Sequence, residues 1–135
     1  MNKILRKEDR GKASYGWLNA RYYFSFANYF NPEWVHFGAL RVLNDDIIDA
    51  SSGFPEHPHD NMEIITIPLS GTVEHKDSMG HTSLIKTGDV QVMSAGKGIT
   101  HSEFNASSTE PLSLLQIWIF PKVKNVQPRY QQKTF

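Results

Sequence analysis

A chain of 135 residues with 39% hydrophobic and 12% aromatic side chains suits one globular domain, large enough to bury roughly two-thirds of its unfolded surface. Its 14 basic and 14 acidic residues cancel, so no global field draws it to nucleic acid or to an anionic membrane. It has no cysteine, which excludes disulfides, zinc–thiolate sites and thiol chemistry.

Met1 to Arg10 contains no apolar h-region, and the longest apolar stretch is broken by Gln116 and too short to span a bilayer. The expectation is a cytoplasmic protein with no membrane association and no direct nucleic-acid partner. The one candidate helix is a short one near 28–35, and its Pro32 argues against it. Phe37 to Leu43 reads as a strand, followed by a turn at Asn44-Asp45-Asp46. Glu63 to Leu69 is a second strand, within which Pro68 requires an edge or a bulge because it cannot donate to a ladder. Further strands are expected at Thr72–His75, His81–Ile85, Val90–Met93, Ile99–Phe104 and Leu112–Phe120, separated by Gly- and Asp-containing turns. From Lys122 onward the chain becomes polar and unpatterned, so residues 1–121 read as the domain and 122–135 as a linker or tail. Short strands at this spacing, without a long helical period, predict an all-β sandwich or barrel.

His57-Pro58-His59 and His101-Ser102-Glu103 carry the chemistry. Each is a pair of metal-ligand types separated by one residue, and residues i and i+2 share a face in a strand but not in a helix. Pro58 argues against a helix at the first pair. Two such strands side by side bring three imidazoles and a carboxylate to one point. That donor set suits Fe(II), Mn, Ni, Cu or Zn, and four protein ligands leave open positions on a six-coordinate ion. Glu63 has the same parity as His57 and His59, so spacing leaves either Glu63 or Glu103 to complete the sphere. His36, His75 and His81 read as ordinary solvated histidines.

These residues also carry a family resemblance. His57-x-His59-x3-Glu63 with Gly71 resembles the first cupin motif, and Gly88-x5-Ser94-x-Gly96 followed by His101-x3-Asn105 resembles the second. Gly16-Trp17-Leu18, Leu40 to Asp46, Gly53-Phe54-x-x-His57-Pro58-His59, Met62-Glu63-Ile64 and His75-x-Asp77-Ser78-x-Gly80 extend the likeness. So do Met93-Ser94-Ala95-Gly96-x-Gly98-Ile99-x-His101-Ser102-Glu103 and Leu115-Gln116-Ile117-Trp118. Together they resemble the N-terminal cupin domain of a pirin over about Arg10 to Tyr130. The resemblance implies a single cupin barrel, a double-stranded β-helix of jelly-roll type. It also implies one divalent metal held by His57, His59, His101 and Glu103. Fe(II) is the first expectation, with Ni, Mn, Cu or Zn as alternatives.

Pirins usually continue into a second cupin domain, whereas this chain stops where that domain would begin. Self-association, a homodimer through the doubly apolar strand Leu112–Phe120, is the expected substitute. Two functions of different class follow from the resemblance. One is a quercetin 2,3-dioxygenase that opens the flavonol ring with O2 and releases CO, with Glu103 as general base. Phe54, Met62, Met93 and Trp118 would then line an apolar pocket for the flavonol, although plain core is the simpler account of each. The other is a non-enzymatic, iron-binding regulator that acts through a protein partner.

Overall fold

The computed structural model describes residues 2–135. A single turn of 3-10 helix (Lys7–Asp9) precedes eleven strands. They are β1 (Gly11–Ser14), β2 (Leu18–Tyr22), β3 (Leu40–Ile48), β4 (Gly53–His59), β5 (Glu63–Ser70), β6 (Thr72–Asp77), β7 (Thr82–Lys86), β8 (Asp89–Ser94), β9 (Ile99–Asn105), β10 (Leu112–Ile119) and β11 (Arg129–Thr134). No α-helix forms among the described residues; the stretch 28–35 is turns, joined to the preceding segment by the bridge Phe26–Tyr29.

Every ladder is antiparallel, and the strands divide into two sheets. Seven strands run in the order β1-β2-β3-β10-β5-β8-β11, and four run β4-β9-β6-β7. The all-β expectation holds, but the closed barrel does not: no ladder joins one sheet to the other. The reason lies at the edges. β2 takes the free side of β3 and β11 takes the free side of β8, so the strands a barrel would need for closure are already paired. What remains is an open two-sheet, cupin-like sandwich packed face to face. Because no helix among the described residues is long and apolar enough to cross a membrane, the chain contains no helical span there.

Pro68 lies beside a bulge. The β10–β5 register shifts between Ser113 and Leu114, the residue opposite Pro68, and β5 pairs with β8 only through Thr66. Its missing donor therefore costs no ladder bond on that side. The polar terminal segment is not all tail: Arg129–Thr134 is paired to β8 along its whole length.

Alternation places the core. One cluster gathers Leu18, Ala20, Tyr22, Ile48, Val73, Ile85, Leu112 and Leu114 from both sheets. A second, of Ile64, Met93, Ala95 and Ile99, has Met62, Met79 and Trp118 packed against it. The expected turn at Asn44-Asp45-Asp46 is instead the middle of β3, where Val42, Asn44, Asp46 and Ile48 are all buried on the inner face. Turn-forming residue types misled that reading; the period-2 burial overrides their weak strand propensity.

Candidate metal centre and its cavity

β4 and β9 are adjacent and antiparallel, with His57 opposite His101 and His59 opposite Ile99. One ligand atom from each of His57, His59 and His101 lies within 4.8 Å of the others. Nε2 of His59 and Nε2 of His101 are 3.0 Å apart. Two nitrogens each bound at about 2.1 Å and subtending a right angle at a metal would be about 3.0 Å apart, so the observed spacing fits adjacent positions on one ion.

Protonation supports the same fit. His57 Nδ1–H donates to the Pro55 carbonyl at 2.7 Å, leaving its Nε2 lone pair free. Burial, then the neighbouring His57, lowers His59 to about 4. Burial and the same crowd of imidazoles lower His101 to about 2. Both rings are therefore neutral, as ligands must be. The ring of Trp118 packs edge-on against His59 with centroids 4.9 Å apart, restricting its orientation.

Glu103 lies two residues beyond His101 on the same inward face, and its Oε1 is 3.9 Å from His101 Nε2. The other sheet holds its carboxylate. Thr66 Oγ1–H of β5 donates to Oε2 at 2.9 Å, and Gln116 Nε2–H of β10 donates to Oε1. Gln116 is fixed in turn by Trp118 Nε1–H, which donates to its Oε1 at 3.2 Å. Burial raises Glu103 to about 7 despite those two hydrogen bonds. Glu63, the rival carboxylate, accepts from Ser94 Oγ–H and is absent from the residues lining the cavity.

Beside the imidazoles is a cavity of about 200 Å³. β4 and β9 supply Phe54, His57, His59 and Glu103; β2, β3 and β10 supply Leu18, Tyr22, Asn44, Asp46, Gln116 and Trp118. Of the four residues expected to form an apolar pocket, Phe54 and Trp118 line this space. Met93 is fully buried in the second core cluster, and Met62 packs against that cluster. The sequence reading missed Tyr22, Asn44, Asp46, Thr66 and Gln116. It also took His75 for solvated, whereas His75 is fully buried and its Nε2–H donates to Asp77 Oδ2 at 2.7 Å. The signal for His75 was its shared parity with Val73.

The Pirin family profile matches residues 5–119. The chain belongs to the pirin family. It is 55% identical over 132 residues to a quercetin 2,3-dioxygenase of Escherichia coli strain K12, covering 97% of this chain and 57% of that protein. A putative quercetin 2,3-dioxygenase of Pseudomonas aeruginosa is 54% identical over 125 residues, covering 93% of this chain and 53% of that protein. Among solved structures, the E. coli pirin YhhW in complex with nickel(II) superimposes with a TM-score of 0.93 at 54% identity, over 95% of this chain and 56% of that one. The chain thus spans little more than half the length of these relatives. Its three imidazoles form a site able to hold a divalent metal.

Proposed function

We propose that this pirin is a metal-dependent dioxygenase of the quercetin 2,3-dioxygenase type, with Fe(II) as the physiological metal, acting on a flavonol-like aromatic and O2. The observation that carries the reading is the juxtaposition of the imidazole cluster with a mostly apolar cavity walled by Phe54 and Trp118. Kinship with the E. coli dioxygenase supports it, and the nickel complex of YhhW supports a first-row divalent ion.

His57, His59, His101 and Glu103 would hold the metal, which when bound supplies a Lewis acid for the flavonol oxygens and a redox centre for O2. The protein residues do the rest. Glu103, held near neutrality by burial, takes the proton of the flavonol 3-hydroxyl. Thr66 and Gln116 keep the two carboxylate oxygens in place while it does so. Phe54 and Trp118 exclude water from the aromatic ring. The cavity is smaller than the roughly 300–1,000 Å³ of typical ligand pockets, so the reacting end of a flavonol enters and the remaining ring occupies the mouth.

Self-association belongs to the same proposal. Leu43, Ile117, Ile65 and Val92 face one another in register across β3, β10, β5 and β8, on the side of the seven-stranded sheet away from the cavity. A second copy presenting the same row is the occupant that closes this face with a single self-complementary surface.

The deciding experiment is anaerobic reconstitution with Fe(II), followed by oxygen-electrode and CO measurements with quercetin and a panel of flavonols. Metal-dependent oxygen uptake is expected. Absence of uptake with every flavonol, in protein shown to carry its metal, would favour the partner-binding regulator instead.

A further inference from the structure

The wall facing the imidazoles contains two buried polar side chains. Asn44 and Asp46 are two residues apart on the inner face of β3, both only 3% exposed and both lining the cavity. Oδ1 of Asn44 and Oδ1 of Asp46 are each buried with no hydrogen-bond partner within the protein. Groups in that condition are rare in folded proteins and expensive to keep, and they concentrate where a ligand completes them.

No neighbour hydrogen-bonds to either atom. Across the ladders, Asn44 pairs with Tyr22 and Gln116, while Asp46 pairs with Ala20 and Leu114. Both ends of the Gln116 amide are already engaged, one with Glu103 and one with Trp118. The nearby cation, Arg10, binds Asp45 at 3.0 Å, and Asp45 alternates with Asp46 and so points to the opposite face.

We propose that Asn44 and Asp46 are specificity-determining acceptors, binding ring hydroxyls of a polyhydroxylated aromatic ligand whose other end meets the imidazoles of the opposite sheet. The inference rests on the flavonol reading and adds to it the reason a hydroxylated ring is chosen over a bare one. The two positions are about 6.7 Å apart along the strand, so they engage separate hydroxyls rather than one. A site built to pair with hydroxyls rejects the analogue that lacks them, because its own buried groups are then left unpaired.

The test uses protein loaded with Zn(II) and kept free of O2, so that nothing turns over, titrated calorimetrically with quercetin and with 3-hydroxyflavone. Both probes present the same 3-hydroxyl and 4-keto pair, and only quercetin carries further ring hydroxyls. Wild type should prefer quercetin by about tenfold to a hundredfold. In Asn44→Leu and in Asp46→Leu that preference should fall by about fivefold or more, with 3-hydroxyflavone affinity unchanged or improved. Both ligand-free variants should also melt above wild type, because an unpaired buried polar group has been removed. An unchanged preference, with both flavonols still binding, would overturn the acceptor assignment and leave the flavonol reading intact. Variants that melt below wild type and lose affinity for both probes equally would make the pair structural, which also overturns it. Binding of neither flavonol by zinc-loaded wild type would overturn the flavonol reading and the assignment together.

Discussion

Asp46 ties burial to stability through one ionisable group, and Asp46→Asn isolates it. Burial is the first cause that holds its carboxyl up at about 7 against 3.8 for an ordinary aspartate; the charges of Asp45 and Glu103 add to it. Between those two values the folded chain keeps a proton that the unfolded chain has released. Its contribution is therefore fully present below pH about 4 and is lost as pH rises through about 7. Each pH unit over which the two states differ by one proton is worth about 1.4 kcal/mol. From pH 5 to pH 8 some two units are crossed before the folded group itself ionises, a loss of about 3 kcal/mol. Asparagine has nearly the same shape and never ionises, so the variant escapes this loss. Urea unfolding of metal-free wild type and Asp46→Asn at pH 5, 6, 7 and 8 should show the variant gaining about 3 kcal/mol on wild type across the series. The lowered histidines titrate in both proteins and cancel in the difference. A difference independent of pH would mean that Asp46 ionises at its ordinary value, and the account of it as a desolvated, unpartnered carboxyl would be wrong.

Glu103→Gln should keep most of the bound metal, since three imidazoles remain and the Thr66 hydroxyl can turn to accept from the new amide. Its flavonol-dependent oxygen uptake should nevertheless fall by about a hundredfold to ten-thousandfold, the usual cost of losing a general base. His101→Ala should lower metal content and oxygen uptake together, measured by elemental analysis beside the oxygen electrode. Gly53→Ala should lower both the melting temperature and the metal affinity, because a Cβ at Gly53 would overlap the Glu103 carbonyl oxygen and the Phe104 backbone. Light scattering at micromolar concentration should report a dimer; a strict monomer would remove the proposed role of the Leu43–Ile117–Ile65–Val92 row.

Much of the imidazole cluster is legible in the sequence because its rule is local. His57 and His59, like His101 and Glu103, need only an extended backbone to share a face, and Pro58 and the flanking glycines announce one. Strand existence is legible for the same reason. Sheet closure is not, because it depends on which distant edges pair. β2 (Leu18–Tyr22) is short and follows the bend at Tyr15-Gly16-Trp17, and β11 (Arg129–Thr134) is polar and largely exposed, so neither advertises itself as the strand that seals an edge. Asn44 and Asp46 were hidden by their chemistry, since the residue types that favour turns are the same ones that serve as hydroxyl acceptors. The partners of Glu103 were hidden by distance: Thr66 and Gln116 lie 37 and 13 residues away and meet it only when the sheets face each other.

That last contact bears on how the open architecture can hold a metal centre. No backbone ladder fixes the spacing between the two sheets, so packing and side-chain ties must set it. Glu103 is such a tie: it is carried by β9 in the four-stranded sheet and gripped by β5 and β10 in the seven-stranded one. A hydrogen bond to a charged partner contributes about 1.5–3 kcal/mol, and Glu103 accepts two of them when ionised. The carboxylate proposed as ligand and base therefore also sets how far the imidazole-bearing strands stand from Asn44 and Asp46. Metal affinity and the width of the hydroxyl-binding cleft are then coupled through one residue. A change that loosens the grip, such as Thr66→Val, should weaken metal binding and blunt discrimination between quercetin and 3-hydroxyflavone at once, although Thr66 is 37 residues from Glu103 in sequence and is not among the residues lining the cavity.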